Sequence, residues 1–303
     1  MPVKYIPYIP NTVEGQAVLD NISRSQRVLR YRDNDKVISK IMRGMPYYEV
    51  EKQEQVGEKS ENLVIRGECL SACAYLKEQG IKVDLVYIDP PFASGADYAK
   101  KVHIRRNPKL AEKIKKAEEE LEIEELKEFE ETMYGDIWQK EDYLNWMYEN
   151  LTAIKSIMSE KASIYVHLDW HIGHYVKVLM DEIFGEENFE NEIIWAYTGP
   201  TSVKDSFGRK HDNLFYYKKG ENKIWNTQYI KHKSGLHNTG QVFGGKGDGE
   251  NSVKEKIEKG KKLEDWWIDI YAGERYRSEL VDYSTQKPEA LLERVIKASS
   301  NSG

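Results

Sequence analysis

The 303 residues, 40% of them hydrophobic and 32% charged, suffice for a sizeable core in one large or two ordinary domains under a heavily charged surface. No run approaches the roughly 18 apolar residues of a membrane span, the start Met-Pro-Val-Lys-Tyr-Ile-Pro lacks the apolar segment of a signal peptide, and two cysteines are too few for a disulfide framework, which fits a reducing compartment, the cytoplasm. A net charge of -6 argues against holding nucleic acid by bulk electrostatics and leaves room for a local basic groove.

Residues 1–60 read as a helical N-terminal extension, with amphipathic spacing at Val18, Leu19, Ile22, Val28 and Leu29, then at Ile38, Ile41 and Met42. A core follows over 61–229. Leu63, Val64 and Ile65 suggest a first strand, Gly67 a turn, and Ser71 to Glu78 a helix ending at Gly80. Cys69 and Cys73 fall one helical turn apart and read as packing, since two thiols cannot complete a zinc site. Val83 to Ile88 is the next strand, apolar enough to be buried on both faces and expected to lie parallel to the first.

Residues 99–134 form a charged insertion with a helix after Asn107-Pro108. It is a solvated surface helix or, alternatively, a clamp whose basic root (Lys101, Arg105, Arg106) grips phosphate. The α/β rhythm then resumes: a helix over 141–158, a strand over 163–169, a helix over 173–184, and strands over 191–197 and 213–217. This alternation predicts an α/β, mostly parallel sheet with helices on both faces. Residues 230–279 lose periodicity and read as a variable, loop-rich target-recognition region. Its Gly244, Gly245, Gly247 and Gly249 lack the Lys-Ser/Thr of a phosphate loop. Residues 280–303 return to the core in a helix started near Pro288, with Leu291, Leu292, Val295 and Ile296 as its apolar face. No internal repeat is present.

The chemistry concentrates in Asp89-Pro90-Pro91-Phe92. Two prolines can neither extend a sheet ladder nor enter a helix, so the strand stops with a carboxylate at its carboxyl end, where open α/β sheets bind ligands. An exocyclic amine on a base is a poor nucleophile because its lone pair is delocalised into the ring. Acceptors aimed at both of its hydrogens favour a pyramidal, attacking nitrogen. Asp89 and the Pro90 carbonyl can supply them, Pro91 stiffens the turn, and Phe92 can stack on a base swung out of the duplex. The plain alternative is a strand ending in a proline turn. A metal set from His167, His171 and His174 is not supported, because His167 and Asp169 lie on a predicted strand and His171 beyond it. No nucleophile elbow accompanies His211 and Asp212.

These stretches resemble the S-adenosylmethionine-dependent DNA amino-methyltransferases, in the β-class order where the catalytic motif precedes the cofactor motif. The resemblance rests on the catalytic stretch and on Asn62-Leu-Val-Ile-Arg-Gly-Glu, Asp136-Ile-Trp, Ser163-Ile-Tyr-Val-His-Leu-Asp-Trp-His, Asn191-Glu-Ile-Ile-Trp, His211-Asp-Asn-Leu-Phe-Tyr-Tyr and Thr285-Gln-Lys-Pro-Glu-Ala-Leu-Leu. It implies a Rossmann-like sheet and transfer of a methyl group to the N6 amine of a flipped adenine, because cytosine-N4 enzymes more often carry Ser in place of Asp89. It also implies cofactor contacts from Glu68 (where the family usually has Asp), Asp89, Thr285, Gln286, Lys287 and Pro288. Phosphate contacts are expected from Lys101, Arg105, Arg106, Lys204, Arg209, Lys210, Lys231 and Lys233, and no metal is expected.

No Phe-x-Gly-x-Gly turn for the cofactor is present, and in this order it belongs after Gly303. The chain is therefore expected to be truncated or one half of a split enzyme, and weakly active alone. The implied partners are double-stranded DNA and either a complementary cofactor-binding fragment or a restriction subunit. The alternatives are a non-catalytic DNA-binding or specificity fragment and a cytosine-N4 methyltransferase.

Overall fold

A computed structural model describes residues 4–9, 34–57, 62–91, 140–197, 199, 203–230, 260–272, 278–281 and 285–301. The elements are β1 (Lys4–Ile6), α1 (Asn34–Arg43), β2 (Met45–Tyr47), α2 (Cys69–Glu78), β3 (Val83–Ile88), α3 (Lys140–Ile157), β4 (Met158–Leu168), α4 (Gly173–Phe184), β5 (Phe189–Ala196), β6 (His211–Lys218), β7 (Tyr229–Ile230), β8 (Lys261–Lys262), β9 (Trp266–Trp267) and α5 (Glu289–Ser299). The helix expected near residues 18–29, the insertion over 99–134 and most of the loop-rich region lie outside the described residues.

The main sheet runs β3-β4-β6-β5-β9. Its face choice follows strand parity. Ile164, Val166 and Leu168 of β4 enter a core with α3, α4 and α2, while Tyr165 turns the other way, into a core with Ile193, Trp195, Leu214, Tyr216 and the Leu291–Val295 side of α5. Helix α3 forms because Tyr143, Leu144, Met147, Tyr148, Leu151 and Ile154 recur on one buried side. Helices thus cover both faces, as the α/β class requires.

The sheet is mixed, where the alternation predicts a mostly parallel one. β3 and β4 are parallel, as are β5 and β9, but β6 is antiparallel to both β4 and β5. The described residues between β5 and β6 hold no helical crossover, and the chain reverses rather than returning to the same end. The expected strand at Leu63 to Ile65 does not pair, and Val64 is fully exposed. Consequently β3 is an edge strand among the described residues, and Leu85 to Ile88 are half-buried instead of enclosed on both faces. On α5 the buried positions are Leu291, Val295 and Ala298, whereas Ile296 faces out.

Gly80 and Gly44 are among the glycines whose positive φ the backbone requires. Gly80 ends α2 at φ +70°, letting the chain turn into β3. Gly44, at φ +87°, joins α1 to β2, and a Cβ there would lie 2.6 Å from the Ile6 carbonyl oxygen. That close approach seats the small β1–β2 pair, in which Lys4 faces Tyr47 and Ile6 faces Met45.

Candidate active site

The carboxyl ends of β3, β4 and β5 share one edge of the sheet, because these strands run in the same direction. Glu68 is the exposed N-cap of α2. The edge also receives the start of α5 and the connection between β5 and β6.

Asp89 follows the Ile88–Val166 pair directly, and Pro90 and Pro91 stop the strand there. Lys287 donates from Nζ to Asp89 Oδ2 at 2.6 Å. The lysine side chain is 14% and the aspartate side chain 28% exposed, so the pair is partly withdrawn from water. Oδ1 of Asp89 carries no hydrogen bond among the described residues. The structure therefore joins two predicted site segments that are 198 positions apart.

The neighbours of Lys287 have different tasks. Pro288 is buried at the N-cap of α5. Gln286 donates to the Glu279 carbonyl at 2.7 Å and accepts from the Val281 amide at 3.0 Å, so its amide holds the turn. Thr285 is exposed. Of the expected phosphate contacts, Lys204 and Arg209 are exposed and Lys210 half-buried on the connection from β5 to β6. The Arg209 guanidinium lies 4.0 Å from the centre of the Trp170 ring, just beyond β4. Phe92, Lys101, Arg105, Arg106, Lys231 and Lys233 lie outside the described residues.

Asp169 ends β4 and turns the chain into α4, accepting from the amides of His171 at 2.9 Å and Ile172 at 3.3 Å. Burial raises its pKa above the usual carboxylate value, and those two amides oppose the rise. No group of histidine, cysteine and acidic side chains suited to a metal occurs among the described residues.

One polar cluster was not singled out from the sequence. Tyr87, two residues before Asp89, lies 2.6 Å from His167 Nδ1, and His167 Nε2 lies 3.1 Å from Asp212 Oδ2. Tyr197 donates to the other Asp212 oxygen at 3.2 Å. The available signal was parity: Tyr87, His167 and Asp212 are polar residues on the side of their strands that carries Leu85, Tyr165 and Leu214.

A sheet with helices on both faces and an Asp-Pro-Pro turn at the carboxyl end of a strand accords with the amino-methyltransferase class that the sequence resembles. The chain belongs to the DNA methylase family, whose model matches residues 83–303. It is 28% identical over 157 residues to the type II methyltransferase M.EcaI of Enterobacter cloacae, covering 52% of this chain and 29% of that protein. It is 23% identical over 262 residues to the Mod subunit of the type III restriction-modification enzyme EcoP15I of Escherichia coli, covering 78% of this chain and 40% of that subunit. The chain thus spans less than half the length of these two curated relatives. A solved structure of M1.HpyAVI in complex with SAM aligns over 78% of this chain and 76% of that one, at 12% identity and a TM-score of 0.38.

Proposed function

We propose that the chain is the catalytic and target-recognition part of a cytoplasmic DNA adenine-N6 methyltransferase of the restriction-modification type. The observation that carries this reading is the Asp89 turn: a carboxylate held at one oxygen by Lys287, with no hydrogen bond to the other oxygen among the described residues. Asp89 Oδ1 and the Pro90 carbonyl accept the two hydrogens of the flipped adenine's amine, which localises the nitrogen lone pair for attack. Phe92 stacks on the base. Bound S-adenosylmethionine would supply the methyl group, its sulfur–carbon bond breaking as the amine nitrogen bonds to the carbon, and one amine proton would leave to solvent.

S-adenosylmethionine supplies an electrophilic methyl group when bound. The donor set fits its polar groups: the Lys287 cation suits the carboxylate, while Asp89 and the exposed Glu68 are acceptors for its ammonium and hydroxyl hydrogens. Lys101, Arg105, Arg106, Lys204, Arg209, Lys210, Lys231 and Lys233 contact the phosphates of double-stranded DNA, which fixes register without reading sequence. A restriction subunit or a complementary cofactor-binding fragment is the protein partner.

The test is transfer of radiolabelled methyl groups to unmodified DNA, followed by digestion to nucleosides. N6-methyladenine is the expected product, lost in Asp89→Ala while DNA binding persists. N4-methylcytosine would assign the other base. With the complementary cofactor-binding fragment supplied, wild-type transfer no greater than that of Asp89→Ala would refute the catalytic assignment.

A further inference from the structure

The buried line of Tyr87, His167, Asp212 and Tyr197 crosses the sheet at its carboxyl edge, one strand at a time. Asp212 stands on β6, between β4 and β5, with its backbone opposite Trp195. Its two oxygens serve both sides, Oδ2 toward His167 of β4 and Oδ1 toward Tyr197 at the end of β5. His167 continues the line to Tyr87 of β3. The carboxylate can only accept, so the imidazole donates from Nε2, and Nδ1 is then the acceptor for the Tyr87 hydroxyl. One ring proton satisfies the whole line.

The surroundings allow the imidazole little freedom. His167 is fully buried. Its ring meets Trp195 edge-on at 5.6 Å and 80°, and Tyr87 at 6.0 Å and 78°. Trp195 is itself tied down, donating from Nε1 to the Ile270 carbonyl at 2.9 Å. Burial, reinforced by the Asp89 and Asp212 carboxylates, pushes the Tyr87 hydroxyl well above its ordinary range, which keeps it protonated and donating.

A buried pair of this kind adds little stability over apolar residues of the same shape, so its value lies in fixing geometry. Its two ends are informative. Tyr87 is separated from Asp89 only by Ile88, and Tyr197 opens the connection carrying Lys204, Arg209 and Lys210. We propose that Tyr87, His167, Asp212 and Tyr197 form a positioning network that sets the Asp89 turn relative to the β5–β6 connection, linking DNA engagement to orientation of the catalytic carboxylate. This rests on the functional reading above, in which Asp89 contacts the amine and the basic connection contacts DNA.

Two measurements on the full chain test it, only one of which needs turnover. In nitrogen-resolved spectra of the histidines, His167 should carry its proton on Nε2, and Asp212→Asn should shift the amide signals of Ile88 and Asp89 two strands away. His167 protonated on Nδ1, or Ile88 and Asp89 signals unmoved by Asp212→Asn, would overturn the network whether or not methyl transfer is seen. In the transfer assay, Tyr87→Phe should lower kcat about tenfold, as expected for a misplaced reacting group, with KM for DNA and the melting temperature within the wild-type range. A melting temperature that falls while kcat holds would show a purely structural cluster and refute the positioning role. If the wild-type chain methylates no DNA even with the complementary cofactor-binding fragment supplied, the functional reading fails while the spectra still decide the network.

Discussion

Replacing Lys287 with methionine removes the ammonium from Asp89 and keeps most of the aliphatic stem. At the 2.6 Å separation and an effective dielectric near 20, the gross attraction is about 6 kcal/mol. Most of that is offset, because both groups must be partly desolvated and the aspartate side chain keeps 28% exposure. The net loss should be about 1–2 kcal/mol, read as a lower urea midpoint at unchanged slope. Because the pair is partly withdrawn from water, added salt should recover little of the difference between wild type and variant. The catalytic effect should be larger than this implies. Without the lysine the carboxylate can rotate, and a tenfold fall in methyl transfer corresponds to only about 1.4 kcal/mol of lost orientation. The expected result is therefore modest destabilisation with at least a tenfold drop in transfer. Destabilisation with unchanged transfer would reduce Lys287 to a structural role, and a gain in transfer would show that it masks Asp89; either result refutes the reasoning.

Two further predictions concern the N-terminal segment. Tyr8 is buried and donates to Glu149 at 2.8 Å, so Tyr8→Phe should cost about 1–3 kcal/mol; denaturation at the wild-type midpoint would argue that residues 4–9 do not pack as described. Lys77 donates to the carbonyls of Pro7 and Tyr8, and burial, aided by the Lys82 and Lys219 charges, lowers it from 10.5 to about 8. Between those values the unfolded chain binds the extra proton, so stability should rise with pH from about 8 to 10.5 relative to Lys77→Met. A flat difference across that window in pH-resolved denaturation would contradict the burial of this ammonium.

Local pattern was legible wherever one side of an element meets the core. Helix α4 spans Gly173–Phe184 as its spacing predicts, and the edge carboxylate follows from two prolines behind an apolar run. What stayed hidden is pairing over distance. Leu63 to Ile65 have the composition of a strand, yet composition cannot supply a neighbour, and Val64 is left in solvent. Strand β9 is two residues long in a stretch without periodicity, so nothing local marks Trp266 and Trp267 as sheet. The Lys287–Asp89 and His167–Asp212 contacts span 198 and 45 positions, and no spacing rule reaches that far. Both lysine and aspartate could be proposed for one site, but their contact appears only once α5 lies against the sheet.

The antiparallel strand explains how acid and basic segment come to share an edge. Had β6 run parallel to its neighbours, a crossover would have carried the chain from the end of β5 to the opposite edge before β6 began. Reversal instead starts and ends the connection between Ala196 and His211 at the edge that holds Asp89. It also starts β6 at that edge, which puts Asp212 one residue inside the sheet and between two strands, within reach of His167 and Tyr197. A chain of net charge -6 needs its positive groups concentrated to address a phosphate backbone. Lys204, Arg209 and Lys210 belong to the connection that leads into this single reversed strand, which also supplies the carboxylate in the middle of the polar line.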